Sequence, residues 1–248
     1  MDDHLRAPDE HLDPAVAATY DDAVAARFHP DEVGPTVDRL VELADDATAV
    51  EFAIGTGRIA LPLADRGVTV RGIDLSEPML DRLRAKAGSD RVEVTVGDMT
   101  SVQLGVKTSL VYLVFNTIMN LRTQHEQVGC FRNAVRHLAP GGRFVVETIV
   151  PRFDRLGTHV FDLSDDHVGI DEYVDPVGQI SISHHFVRDA DGRHRKRSAA
   201  FRYAWPSELD LMAQIAGLTL EHRWADWHRS PFTADSTAHV SVWRLLVR

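Results

Sequence analysis

Apolar and polar positions change their period at about Thr48. From there, short β-branched runs alternate with stretches whose apolar residues recur at helical spacing, the pattern of parallel βαβ units. The runs TAVEF (48–52), VTVRGID (68–74), VEVTVGD (92–98), SLVYLVF (109–115) and RFVVETIV (143–150) predict strands. They are almost continuously apolar, which predicts a sheet covered on both faces. Between them, Arg58 to Arg66 predicts a helix closed by Gly67, and Ser76 an N-cap for a helix through Lys86. Thr123 to Leu138 predicts a third helix, stopped by Pro140-Gly141-Gly142 as a structural turn. The fold class is therefore α/β, in the order β-α-β-α-β…β-α-β.

The flanks read differently. Residues 1–47 hold two helical stretches separated by His29-Pro30, because proline disfavours helical geometry in the residue before it, and they form an expected lid over the ligand edge of the sheet. After Pro151 an acidic stretch, FDLSDDHVGIDEYVD (161–175), reads as a solvated loop. It precedes ISISHHFV (180–187), the turn RDADGRH and the run RKRSAAFRY (195–203), a predicted hairpin with Asp191-Gly192 at its tip. Ser207 to Ala216 predicts a helix opened by Pro206 and capped by Gly217, followed by strands near Leu218 to Trp224 and His239 to Val247. The expected organisation is a helical lid over 1–47, a core over 48–150, an inserted loop and hairpin over 151–205, and the C-terminal part of the core over 206–248.

Composition narrows the function. With 37 acidic and 27 basic residues the formal net charge is −10, which argues against a nucleic-acid backbone as partner and favours a small organic molecule. Cys130 is the single cysteine, so no intrachain disulfide is expected. The acidic N-terminus lacks the basic and apolar regions of a signal peptide, and the longest apolar stretch, Leu110 to Met119, is interrupted by Asn116. A cytoplasmic protein with no membrane segment is expected. The hairpin's edge strand is a candidate for pairing two subunits into a homodimer.

Candidate chemistry begins at Glu51-Phe52-Ala53-Ile54-Gly55-Thr56-Gly57, where glycines let the chain turn tightly from strand to helix while its backbone approaches a ligand. Asp74 ends the second strand, seventeen positions beyond Gly57, where a carboxylate can accept from both hydroxyls of a ribose. Gly55, Gly57 and Ala60 also satisfy the loose dinucleotide pattern G-x-G-x-x-G/A. Three features weigh against that reading. Glu51 would repel a pyrophosphate and welcome an ammonium group. Asp98 ends the third strand, able to accept from an adenine amino group while Met99 packs on the ring. Phe115-Asn116-Thr117 places polar groups beside the glycine turn.

The motifs E-F-A-I-G-T-G, G-I-D-L-S, G-D-M, V-F-N-T and L-A-P-G-G-R-F stand in the order and spacing of the class I S-adenosylmethionine (SAM)-dependent methyltransferases, which the chain resembles over roughly residues 15–247. With its Tyr20-Asp21 pair and inserted hairpin it is most similar to small bacterial metabolite methyltransferases of the aminosugar N-methyltransferase kind. The resemblance implies a Rossmann-like seven-stranded sheet whose last strand is antiparallel, with SAM across the carboxyl edges of the first four strands. It also implies roles by position: Gly55 and Gly57 flanking the methionine moiety, Asp74 on the ribose, Leu75 and Met79 on the adenine face, Asp98 and Met99 at its edge, and Phe115 with its backbone near the methionine amino group. The family's usual first glycine is Ala53 here, a mild substitution if φ is negative at that residue.

Methyl transfer from a sulfonium is an in-line displacement with an activated leaving group, so the protein mainly aligns and desolvates. Tyr20 resembles the aromatic lid residue beside the methyl group, and Arg27 is a candidate partner for the cofactor's carboxylate. His184 is a candidate base beside His185, although only one of two adjacent strand residues can enter a pocket. Asn116, Asn120, Tyr203 and Trp205 are candidate acceptor contacts, with Trp224 and Trp227 as further aromatic walls. Asp162, Asp165, Asp166 and His167 invite a metal reading, but a solvated acidic loop is the plainer one, and no metal is expected. The basic run Arg188, Arg193 to Arg197 reads as a solvated hairpin tip. Transfer to N or O of a small molecule is the leading expectation. A peptide N-terminus, a non-catalytic SAM-binding role and a nicotinamide-dependent reductase are the alternatives.

Overall fold

The computed structural model describes residues 12–151, 157–188 and 191–246. The signal-peptide reading of the first eleven residues, part of the predicted hairpin turn (Asp189, Ala190) and the end of the last predicted strand at Val247 lie outside them. The chain opens with helices α1 (Pro14–Ala23) and α2 (Pro30–Leu43), joined by a short 3-10 turn at Ala25–Phe28, and His29 occupies the N-cap of α2. The core follows as β1 (Thr48–Phe52), α3 (Ala60–Asp65), β2 (Thr69–Asp74), α4 (Glu77–Arg84), β3 (Val92–Val96), β4 (Thr108–Leu113), α5 (Gln124–His137) and β5 (Leu138–Ile149). Next come β6 (Thr158–Leu163), β7 (His167–Asp175), β8 (Ile180–Arg188) and β9 (His194–Arg202), before α6 (Pro206–Ala216), β10 (Leu218–Trp224) and β11 (Ala238–Leu245) return to the core.

Seven strands form one sheet in the order β10-β11-β5-β4-β1-β2-β3. The pairs β1–β2, β1–β4, β2–β3 and β4–β5 are parallel, and β11 runs antiparallel to both β5 and β10. The period of two along each strand divides the core in half. Ala49, Val70, Leu110, Tyr112 and Val145 pack beneath α2, α3 and α4, whereas Val50, Ile73, Val111, Leu113, Phe144 and Val146 pack against α5 and α6. Burial on both faces explains the continuous apolar runs.

The caps follow the residues that encode them. Ser76 accepts the Met79 amide at 3.3 Å, Thr123 and Glu126 form a reciprocal capping box, and Gly217 closes α6 at φ 87°. Two expectations are corrected. Pro140-Gly141-Gly142 does not form a separate turn after α5. Leu138 already has extended geometry, and the three residues make a bulge within β5, where Thr108 pairs with Leu138 but Leu110 with Arg143. The acidic stretch is not a loop either: it contributes the end of β6 and all of β7, so the insert is a four-stranded antiparallel sheet, β6-β7-β8-β9. Alternating Val168, Ile170 and Val174 with polar residues gave β7 a period-two pattern beneath its charge. Among the described residues no helix is long and apolar enough to cross a membrane.

Candidate active site

Three strand ends, one turn and the N-terminal helix converge on a cavity of about 240 Å³. Its wall includes Ala53 and Gly55 from the turn after β1, Asp74, Leu75 and Met79 around the end of β2, and Asp98 and Met99 after β3. Thr117 and Asn120 come from the segment after β4, and Tyr20 closes the cavity from α1. Sequence-predicted residues from five separate segments thus share one space.

Asp74 organises the floor. It is only 8% exposed; one carboxylate oxygen accepts the Gly55 amide at 2.6 Å and the other the Ser76 amide at 2.8 Å. It therefore ties the glycine turn to the start of α4. Gly55 lies at φ 55°, and a Cβ built there would meet nothing closer than the Ala53 carbonyl at 4.0 Å, so the absent side chain leaves that space to the cavity. Gly57 serves packing instead: a Cβ would stand 3.0 Å from Leu83 and 3.2 Å from Leu61. Ala53 corrects an expectation, since its φ is 53°, the left-handed region where a Cβ costs about 1–2 kcal/mol.

Glu51 stands behind the turn rather than on the cavity wall. It is 3% exposed and accepts the Tyr112 hydroxyl at 2.8 Å. Burial pushes its carboxyl up to about 8, opposed by the Tyr112 hydrogen bond and the positive charge of Arg58. Arg58 was not singled out from the sequence; the cation directly after Gly57 was the available signal. Its guanidinium lies 5.0 Å over the Phe115 ring and donates to the Arg27 carbonyl at 3.2 Å. Burial also raises the Tyr20 hydroxyl above the usual tyrosine range, against the pull of Arg58.

The lid is fastened through its neighbour in the sequence. Asp21 accepts the Thr56 hydroxyl at 2.6 Å and pairs with Lys86 at 2.6 Å, while Lys86 also donates to the Thr56 carbonyl. The turn after β4 is strained, with Phe115 and Asn116 at φ 59° and 60°. Glu147 holds it by accepting the Phe115 amide at 2.8 Å, and the Asn116 side chain accepts the Ile149 amide at 2.8 Å.

Several candidates fall away from the cavity. Arg27 pairs with Glu32 at 3.1 Å and lies over Phe115. Asn116 is engaged by β5, and Tyr203 packs edge-on to Tyr173. Trp205 precedes α6 as its N-cap. His184 sits mid-strand in the small sheet, bonded to Ser198 at 2.7 Å and Glu172 at 3.4 Å. Asp162 meets His167 at 2.8 Å, and His167 meets His185 at 2.9 Å; among the described residues no group of three acidic, histidine or cysteine side chains is arranged to hold a metal.

An open α/β sheet with acidic residues closing two adjacent strands beside a glycine turn defines a nucleoside-binding protein of the doubly wound class. Comparison with known proteins takes this further. A methyltransferase-domain family matches residues 49–142. The structure of the CcbJ methyltransferase from Streptomyces caelestis superposes with a TM-score of 0.83 at 38% identity, covering 94% of this chain and 96% of that one. Cypemycin N-terminal methyltransferase from Streptomyces sp is 29% identical over 204 residues, 80% of this chain and 83% of that protein. The dTDP-3-amino-3,6-dideoxy-alpha-D-glucopyranose N,N-dimethyltransferase of Streptomyces fradiae is 36% identical over 101 residues, 41% of this chain and 39% of that protein. The chain belongs to the methyltransferases, and it shares the fold of the SAM-bound amino pentose methyltransferase CalS10 from Micromonospora echinaspora at a TM-score of 0.69 and 24% identity, covering 90% of this chain and 96% of that one. The nicotinamide reading of the glycine pattern is thereby set aside.

Proposed function

We propose that the enzyme methylates an amine of a small molecule in specialised metabolism. The observation that carries this reading is the character of the cavity wall: among the described lining residues there is no histidine or lysine, and the ionisable groups are Tyr20, Asp74, Asp98 and Glu126. A hydroxyl acceptor needs a base to become nucleophilic, whereas a neutral amine already carries its lone pair. Carboxylates also favour the approach of a cationic amine, which sheds one proton to regain its lone pair before it attacks. The peptide and aminosugar methyltransferases similar to this chain are likewise named for transfer to nitrogen.

In this reading Asp74 accepts from the ribose hydroxyls, Leu75, Met79 and Met99 sandwich the adenine, and Asp98 accepts from its amino group. Ala53 and Gly55 leave space for the methionine moiety, Glu51 balances its ammonium from behind the turn, and Arg58 rather than Arg27 is the nearer cation for its carboxylate. SAM supplies an electrophilic methyl on sulfur, so the N–C bond forms as the S–C bond breaks and the amine then sheds its proton. Tyr20 excludes water from that path, with Thr117 and Asn120 orienting the acceptor. We further assign residues 12–47 as the lid and the β6–β9 sheet as a cover and pairing surface, with a cytoplasmic homodimer as the working assembly.

The test is calorimetric titration with S-adenosylhomocysteine, followed by transfer of labelled methyl from SAM to paired amine and hydroxyl acceptors of the same carbon skeleton. Methylation of amines alone is expected. Transfer to the hydroxyl member in preference overturns the amine reading. A second reading, a peptide N-terminal amine, is favoured by the length of the match to the cypemycin enzyme, and methylation of an unprotected peptide but not of small amines would establish it.

A further inference from the structure

The N-terminal segment is held to the protein in two different ways. α2 is packed, with Val33, Val37, Leu40 and Leu43 buried in the core that holds Ala49, Leu110 and Val145. In α1 and the 3-10 turn after it, Ala17 is the single buried residue. The inner face of this stretch is otherwise only half-buried, at Val16, Tyr20, Asp21, Val24 and Phe28. Hydrophobic burial therefore fixes α2 and contributes little to α1, and His29-Pro30 stands at the junction between them.

Polar ties take over where packing stops. One Asp21 carboxylate oxygen accepts the Thr56 hydroxyl and the other pairs with Lys86 Nζ, both at 2.6 Å. Lys86 also donates to the Thr56 carbonyl at 2.8 Å and lies 5.0 Å over the Phe28 ring. A single ammonium thus reaches two residues of the segment, Asp21 and Phe28, and the middle of the Gly55-Thr56-Gly57 turn. Arg58 adds a longer tie, donating to the Arg27 carbonyl at 3.2 Å.

The two sides of this arrangement differ. Thr56 is 2% exposed and belongs to the core, whereas the side chains of Asp21 and Lys86 are 21% and 27% exposed. Their ion pair meets solvent and is open to screening by salt. A fixed anchor and a solvent-touched bond suit a catch that opens and recloses. Its place gives it a consequence for the site. Leu12 and Tyr20, on either side of the α1 N-terminus and next to Asp21, are the wall residues that this segment brings to the cavity. On the other side of Thr56, Gly55 gives its amide to Asp74 at 2.6 Å. Roof and floor of the cavity are therefore joined through one turn.

We propose that Asp21 is a positioning residue: with Thr56 and Lys86 it latches residues 12–28 as the moving part of the lid, sets Tyr20 over the cavity, and so controls how fast the cofactor enters and its demethylated product leaves. The proposal rests on the placement of SAM in this cavity. Opening breaks no core packing, since α2 stays in place while the segment before His29 swings.

The test is surface plasmon resonance of S-adenosylhomocysteine over immobilised full-length protein, comparing the parent with Asp21→Asn and Lys86→Met. The asparagine still accepts from Thr56 but lacks the charge that holds Lys86. Each variant is expected to raise the association and dissociation rates together, by roughly fivefold to tenfold, with Kd within about twofold of the parent. A latch made in both the free and the bound protein cancels from the affinity and remains in the rates. The double variant should exchange ligand no faster than either single one, because both break the same latch. Salt raised from about 0.05 to about 0.5 M should speed exchange in the parent and leave Asp21→Asn unchanged. Amide hydrogen exchange should quicken over α1 in both variants and stay fixed over α2. Dissociation that rises while association holds would make Asp21 a part of the binding wall, and unchanged rates would mean that the segment does not gate the cavity; either result overturns the latch while leaving the cofactor placement intact. A parent that binds no S-adenosylhomocysteine would instead overturn the placement itself, and the gate with it.

Discussion

In the seven-stranded sheet the carboxylates of interest stand at strand ends, where the backbone stops pairing and a side chain is free to meet a ligand. In the four-stranded sheet His184 and His185 stand mid-strand, and each is used by the strand next to it. Asp74 and Asp98 reach a common cavity from β2 and β3 because parallel strands bring their carboxyl ends to one edge. His184 faces Ser198 directly across β9 and bonds to it, and His185 bonds to His167 of β7. The same residue type therefore means different things in the two sheets: topology delivers the first set to a site, and cross-strand pairing consumes the second.

The sharpest challenge to that contrast is Asp74→Ala. Two backbone amides lose a charged acceptor, so the variant is expected to lose about 2–3 kcal/mol of stability in urea unfolding, and S-adenosylhomocysteine binding should weaken by roughly 1–3 kcal/mol in calorimetry. Unchanged cofactor affinity in a folded variant would mean that the strand end serves the turn alone.

Glu51→Gln probes the buried side of the same turn. The folded-state pKa near 8 lies above the ordinary carboxylate value of 4.5, so the folded protein holds a proton that the unfolded chain releases. Stability from this group is complete below about pH 4.5 and is lost as pH rises to about 8. The glutamine variant should therefore melt near the parent at pH 5 and above it at pH 8. Parallel melting curves across that range would place Glu51 in the usual carboxylate regime, already charged before the ammonium arrives.

How much could be read in advance divides along the same line. The core strands, the caps at Ser76 and Thr123 and the cavity residues from Ala53 to Met99 were legible, because burial on both faces and strand-end chemistry leave local signatures. The insert was half legible. Its acidic stretch concealed β6 and β7, since charge on one face of an antiparallel strand resembles a loop until the alternation of Val168, Ile170 and Val174 is weighed. Arg58 and Glu147 were missed because their importance depends on contacts across the fold, to Phe115 in both cases. The backbone angle of Ala53 was beyond reach, as nothing in the sequence marks a left-handed alanine.

That alanine supplies a smaller test. Ala53→Gly removes a Cβ from φ 53° and adds backbone freedom to the unfolded chain, two opposed effects whose balance should stabilise the fold by about 0.5–1 kcal/mol in urea titration. A loss of stability would show that the Ala53 methyl contributes packing that outweighs its strain.

The smallest expected effect belongs to His184→Ala. Among the described residues its ring bonds only to Ser198 and Glu172, so the substitution should cost about 0.5–1.5 kcal/mol of stability. Methyl transfer to whichever amine the acceptor screen identifies should stay within about twofold of the parent, because no transition-state contact is removed. A fall of roughly a hundredfold in kcat with S-adenosylhomocysteine affinity intact would place His184 against the acceptor. The four-stranded sheet would then be part of the reacting site, and the contrast between strand-end and mid-strand side chains would no longer separate function from scaffold in this enzyme.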